Sequence, residues 1–193
     1  CLVRSASGFA GSLPPEIKAE PVEGDLLKPG TWEASLDGMD VAFYDPYKPD
    51  GYDKALGVRR VERFQDLLAR AFVLSLHCPL TDETHHLVNG ANVSSMPEGS
   101  YLVNTSRGGV VEAAAVVEAI ASGRLAGAGI DVLENEPPDN SNPLMAAWRD
   151  PAHPAYHRVI VNPHAAFYCE EGFLDMRTSG SNACRRALCG QPI

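Results

Sequence analysis

The chain has 193 residues, 45% hydrophobic and 21% charged, the proportions of a globular protein able to bury an ordinary core. Its formal net charge of −9 excludes a surface built to bind nucleic-acid phosphates, which needs clustered lysine and arginine, so any link to DNA would run through other proteins. No apolar run of about 18 residues and no charged-then-apolar leader is found, so neither a membrane span nor a signal peptide is expected.

Five cysteines (1, 78, 169, 184 and 189) form no Cys-x-x-Cys pair and are odd in number, the usage of reduced thiols in a cytoplasmic or nuclear compartment. The first residue is Cys1 rather than Met, which reads as a fragment.

Residues 1–38 are read as irregular, because Pro14-Pro15, Pro21, Gly24 and Pro29-Gly30 interrupt every periodic pattern. A short apolar run at 39–44 is stopped by Asp45-Pro46 and reads as a buried strand, followed by a turn-rich connection at 51–58. Val61, Phe64, Leu67 and Leu68 share one face of a short helix over 61–70. Strands are then expected at 71–76, 100–104, 125–131 and 158–161, with one helical turn at 92–96. The helix at 112–122 has Ala113, Val116, Val117 and Ile120 on one face and Gly123 just past its end. Residues 137–157 form a proline-rich loop with a helical turn at 144–148, and 170–188 is a helix weakened by Gly172 and Gly180. Strands alternating with helices, five strands in all, imply an α/β, Rossmann-like, doubly wound parallel sheet.

In such a sheet, ligands bind where the carboxyl ends of the strands meet the following turns. Three fragments share that design. Tyr101-Leu-Val-Asn-Thr-Ser-Arg107-Gly-Gly109 puts an arginine, whose fork suits a planar carboxylate, beside glycines that let backbone approach closely. Ala128-Gly-Ile-Asp131-Val-Leu-Glu-Asn-Glu136-Pro brings carboxylates, and Val159-Ile-Val-Asn-Pro-His164-Ala a histidine. On neighbouring strands these groups make an anion and acid–base site. The bland alternatives are a surface arginine in a structural ion pair and a histidine bonded to backbone after a proline. No metal-ligand spacing is evident, so no metal is expected. His85 and His86 are expected to face opposite ways.

With Phe43-Tyr-Asp-Pro-Tyr47, Leu76-His-Cys-Pro-Leu-Thr81 and Asn162-Pro-His-Ala-Ala-Phe167, these fragments resemble, in order, the NAD-binding domain of the D-isomer-specific 2-hydroxyacid dehydrogenases. The branch they are most like is that of the C-terminal-binding proteins, transcriptional corepressors built on the same fold. The resemblance divides the chain into an unmatched segment 1–38, a partial NAD-binding domain 39–168 and a C-terminal helix 169–193 that would return to a substrate domain. It implies hydride transfer between NAD and C2 of a small 2-keto or 2-hydroxy acid. Arg107, Glu136 and His164 would be catalytic: Arg107 on the carboxylate and keto oxygen, His164 as acid–base, and Glu136 stabilising the imidazolium, with Glu134 as the competing carboxylate. Cofactor contacts would come from Asp45, Cys78, Pro79, Thr84, Thr105, Ser106, Arg107, Asp131 (to the nicotinamide carboxamide) and His164, and substrate contacts from Arg107 and Phe167. Phe167 stands where the corepressor branch has tryptophan.

Asp45 fills the slot of the ribose-binding acid, which favours NAD over NADP because a 2′-phosphate would be repelled. The glycine-rich phosphate loop should then lie near residue 25. Gly24-Asp-Leu-Leu-Lys-Pro29-Gly30 lacks the third glycine, and Pro29 would break the helix that should face the pyrophosphate. The sheet is therefore expected to be truncated at its N-terminal edge, with Ser35-Leu-Asp-Gly38 as the stump of the first helix, and cofactor affinity to fall severely. Three functions stay open: an NAD-dependent D-2-hydroxyacid dehydrogenase crippled in this fragment, an NAD(H)-sensing corepressor scaffold binding transcription-factor peptides, or a non-functional fragment from a faulty gene model. A homodimer through this domain is the family's habit.

Overall fold

The computed structural model describes residues 40–192, together with two short strands, β1 (Leu2–Val3) and β2 (Val22–Glu23), that pair in parallel. The expected stump at 35–38 and the incomplete glycine loop near residue 25 lie outside the described residues. Contacts divide the chain into two compact units, Cys1–Arg60 and Val61–Ile193.

In the first unit, β3 (Ala42–Phe43) pairs in parallel with β4 (Arg59–Arg60), Ala42 opposite Arg59 and Phe43 opposite Arg60. The strand expected at 39–44 is therefore only two residues long, and its hydrogen-bonded neighbour is a strand not foreseen. Between them, the expected turn-rich stretch holds a five-residue helix, α1 (Tyr52–Leu56). Gly51 and Gly57, at φ 84° and 66°, start and stop it, and these are conformations other residues enter only at a cost. Tyr52 meets the Phe43 ring edge-on at 6.2 Å.

The second unit holds α2 (Phe64–Leu68), β5 (Val73–Leu76), β6 (Ser100–Asn104), α3 (Ala113–Ala121), β7 (Leu125–Ile130), α4 (Pro143–Arg149), β8 (Val159–Val161) and α5 (Glu170–Leu188). Strands run β5-β6-β7-β8, all parallel, so the α/β class holds with four strands in this sheet rather than five. Period-two alternation turns Leu74, Leu76, Leu102, Ile130 and Val159 inward. Leu68 of α2 and Val116 and Ile120 of α3 are buried with them, and α3 packs on β7 and α4. Val73, Tyr101 and Ile160, at alternate positions, are exposed.

The loop expected at 137–157 contains the seven-residue α4, begun by Asn142, whose Oδ1 accepts from the Met145 amide at 3.1 Å, with Pro143 at its first position. α3 ends before Gly123 at φ 79°, the residue expected past its end. The helix expected at 170–188 is α5; its N-cap Cys169 accepts through Sγ from the Gly172 amide, and none of its residues is buried. Described helices include none long and apolar enough to cross a membrane. Four described cysteines (78, 169, 184 and 189) are free thiols.

One row of residues fixes where the site lies. Leu76, Asn104, Ile130 and Val161 are in register across the four strands. Because the strands are parallel, about 4.8 Å apart, the segments that follow this row leave from one edge of the sheet. Cys78, Arg107, Asp131 and His164 all lie in those segments.

Candidate functional site

The turn after β6 is organised by a residue that sequence reading passed over. Asn104 is buried, and its Oδ1 accepts from the Ser106 amide at 3.1 Å and the Ser106 hydroxyl at 2.8 Å. Its Nδ2 donates to the Arg107 carbonyl at 3.1 Å. Arg107 itself is exposed, and its Nη1 donates to the Ser106 carbonyl at 2.7 Å. Thr105 is exposed and Ser106 half-buried.

The turn after β8 is held from β7. The His164 amide donates to the Asp131 carbonyl at 2.8 Å, and the amides of Ala165 and Ala166 donate to the Asp131 carboxylate at 2.8 and 3.0 Å. Asp131 is only 3% exposed, and both its oxygens are engaged by this turn. The carboxylate expected to accept from a carboxamide thus also holds the backbone that carries His164. His164 has φ 53°, a left-handed conformation that a side chain with a Cβ adopts only when its surroundings enforce it.

That conformation places His164 Nδ1 2.6 Å from Glu136 Oε2, while Glu136 Oε1 accepts from the Leu133 amide at 2.7 Å. Partial burial pushes the Glu136 carboxyl up, but the hydrogen bonds from His164 and Leu133 outweigh it and hold the group below the ordinary carboxylate range. With a carboxylate on Nδ1, the ring keeps its proton there, which leaves Nε2 for a ligand. The Phe167 ring stands edge-on to His164 at 6.2 Å and is half-exposed.

Glu134, the competing carboxylate, has a different partner: its Oε1 lies 2.7 Å from His86 Nε2. Contrary to expectation, His85 and His86 stack at 4.0 Å rather than pointing apart. The cause is the φ of 49° at His86, which turns consecutive side chains to the same side. The segment carrying His86 runs beside the Arg107 turn, its amide donating to the Gly109 carbonyl at 2.8 Å and the Val88 amide to the Val110 carbonyl at 3.1 Å. Gly108 closes the assembly: a Cβ there would lie 1.9 Å from the Leu133 carbonyl oxygen, so only glycine lets the two loops touch.

The remaining expected cofactor residues follow β5 or lie in the first unit. Cys78 is half-buried and Pro79 exposed, and burial pushes the Cys78 thiol up. The Thr84 hydroxyl donates to the Pro79 carbonyl at 2.6 Å and accepts from the Thr81 amide at 2.8 Å, so it shapes this loop from within. Asp45 is half-buried, and one of its oxygens accepts from the Tyr47 amide at 2.9 Å. No group of three or more potential metal ligands occurs among the described residues.

Residues 33–166 match the family described as D-isomer specific 2-hydroxyacid dehydrogenase, NAD binding domain. The chain is 35% identical to a D-lactate dehydrogenase of Treponema pallidum (strain Nichols), over 80% of this chain and 47% of that protein. It is 32% identical to C-terminal-binding protein 1 of Caenorhabditis elegans, over 80% of this chain and 20% of that one. Its fold superposes on the crystal structure of D-lactate dehydrogenase from Aquifex aeolicus complexed with NAD and lactic acid with a TM-score of 0.67, at 29% identity, covering 82% of this chain and 49% of the other. The chain therefore spans less than half the length of these relatives.

Proposed function

Because this chain belongs to the D-isomer specific 2-hydroxyacid dehydrogenase family, matched over its NAD binding domain, we propose that it serves hydride transfer between NAD and C2 of a small D-2-hydroxy acid, in either direction. The observation that carries this reading is the placing of an exposed arginine and a histidine–carboxylate pair at the ends of β6, β7 and β8, strands that are neighbours in one sheet.

Each group has a task its chemistry suits. The Arg107 guanidinium grips the carboxylate of a 2-keto acid and polarises its keto oxygen. His164 gives a proton from Nε2 to that oxygen as C2 is reduced, and removes it in the reverse direction. Glu136 accepts a hydrogen bond from Nδ1–H, keeps the ring in the required tautomer and offsets the charge of the imidazolium. Phe167 walls the space beside the histidine and limits what fits on C2. By the resemblance, Thr105 with its exposed hydroxyl and Asp131 would meet the cofactor from the turns after β6 and β7, and Cys78 and Pro79 would lie beside its adenosine. When bound, NAD supplies or takes up the hydride.

The test is NADH oxidation by the purified chain with a series of 2-keto acids, followed by absorbance, with Arg107→Gln and His164→Asn beside it. Arg107→Gln is expected to raise KM, and His164→Asn to lower kcat by about 100-fold or more, the scale of a lost general acid. Turnover that survives both substitutions would refute the assignment.

A corepressor-like module that senses NAD(H) is the second reading, supported by the 32% identity to C-terminal-binding protein 1. It predicts negligible turnover and an NADH-dependent change of oligomeric state, read by analytical ultracentrifugation. A homodimer and transcription-factor peptides are the partners that reading implies.

A further inference from the structure

We propose that Asn104 is a positioning residue: its buried side chain fixes the turn that presents Arg107, while its backbone carbonyl, through Asp131, joins the same strand end to the turn that presents His164. The proposal rests on the reading of Arg107 as the anion-holding group and deepens it.

Asn104 is out of place by the logic of its strand. In the row Leu76, Asn104, Ile130, Val161 the other three residues are apolar, and the inward pattern of β6 calls for a leucine at this position. Asn104 is 1% exposed, and a buried amide is costly unless its bonds are made. All three of its side-chain bonds go to Ser106 and Arg107, the two residues that set where the guanidinium arm begins.

Its backbone continues the linkage. The Asn104 carbonyl accepts from the Asp131 amide at 3.0 Å, the Asp131 carbonyl accepts from the His164 amide, and the Asp131 carboxylate takes the two amides that follow. Two turns that must face one substrate are thereby referenced to one buried amide and one buried carboxylate. Misplacement of reacting groups by about 1 Å is enough to cost orders of magnitude in rate, so a leucine that merely filled the space would not serve.

The experiment uses the whole chain and oxalate, a planar two-carbon dicarboxylate, titrated by NMR. Asn104→Ala is expected to weaken oxalate about tenfold, close to the loss in Arg107→Gln, and the double variant should be no weaker than the worse single one. Leu102→Ala, a buried truncation on the same face of the same strand, should lower the melting temperature and leave oxalate affinity within about twofold. Hydrogen exchange should quicken at the Ser106 amide, which the Asn104 side chain holds, in Asn104→Ala and not in Leu102→Ala, an effect on the Arg107 turn that a role in filling the core would not produce. Should Asn104→Ala fail to fold, the near-isosteric Asn104→Leu fills the space with neither donor nor acceptor; weakened oxalate with faster exchange at Ser106 is again the expected result.

Oxalate affinity unchanged in the Asn104 variants, or losses that simply add to that of Arg107→Gln, would overturn the proposal. If Arg107→Gln itself leaves oxalate binding untouched, the reading of Arg107 falls first. Exchange at the Ser106 amide then decides alone whether the Asn104 side chain fixes the turn after β6.

Discussion

Replacing Gly108 by alanine adds one methyl group where the structure has no room for it. The Cβ would sit 1.9 Å from the Leu133 carbonyl oxygen, 2.0 Å from its carbonyl carbon and 2.5 Å from the Glu134 amide nitrogen. Ordinary contact begins near 3.4 Å, so two backbones must part by about 1.5 Å, and neither has a side-chain rotamer to yield. Overpacking of this kind costs about 1–3 kcal/mol, and backbone against backbone belongs at the upper end. For a unit of this size that is a melting temperature lower by roughly 5–15 °C. The same displacement moves the Leu133 amide that holds Glu136, so the carboxylate should drift from His164 as well. Gly180→Ala is the control: it lies exposed in α5 with nothing within 4 Å of its Cβ, and gains helix propensity worth up to about 1 kcal/mol. Circular dichroism melts of the two variants should therefore shift in opposite directions. A Gly108→Ala protein melting within about 1 °C of the parent would refute the contact between the loops.

Two further substitutions probe polar groups. Ser100 is buried at the start of β6, and its hydroxyl has no hydrogen-bond partner, so Ser100→Ala should leave stability unchanged or raise it by up to about 1 kcal/mol in urea titrations. Glu136 is held below the ordinary carboxylate range in the folded chain, so its ionised form contributes stability above the unfolded value, and this is lost as pH falls through the lowered one. Because the side chain is about a third exposed, the effect is screened and small. The urea midpoint of Glu136→Gln should lie below that of the parent at about pH 6, with the gap closing as acid titrates the parent carboxylate.

Much of this architecture was legible because it rests on periodicity and on glycine. The β6 run, the α3 face ending at Gly123, and α5 all stand where apolar spacing put them. Strands alternating with helices implied a parallel sheet, and a parallel sheet puts Arg107, Asp131 and His164 on one edge. What escaped was set by single dihedral angles and by burial. His85 and His86 stack because His86 adopts a positive φ, which no neighbouring residue announces. The two glycines at 51 and 57 read as turns, yet together they bound a helix. Asn104 left a signal that period-two reading would have found: it falls on the inward face with Ser100 and Leu102, where a polar residue needs partners. The resemblance assigns Asp131 to the cofactor, and only the backbone path of 164–166 reveals that it also holds the His164 turn.

The central claim is that the Arg107, His164 and Glu136 edge carries out hydride transfer, and isotope transfer tests it most directly. The whole chain would be incubated with saturating NADH deuterated at C4 and with pyruvate or glyoxylate, and the products analysed by mass spectrometry on a chiral column. Deuterium at C2 of the hydroxy acid, of D configuration where C2 is chiral without the label, and lost in His164→Asn, is the predicted result. Hydroxy acid without deuterium, of L configuration, or formed equally by His164→Asn would contradict the account.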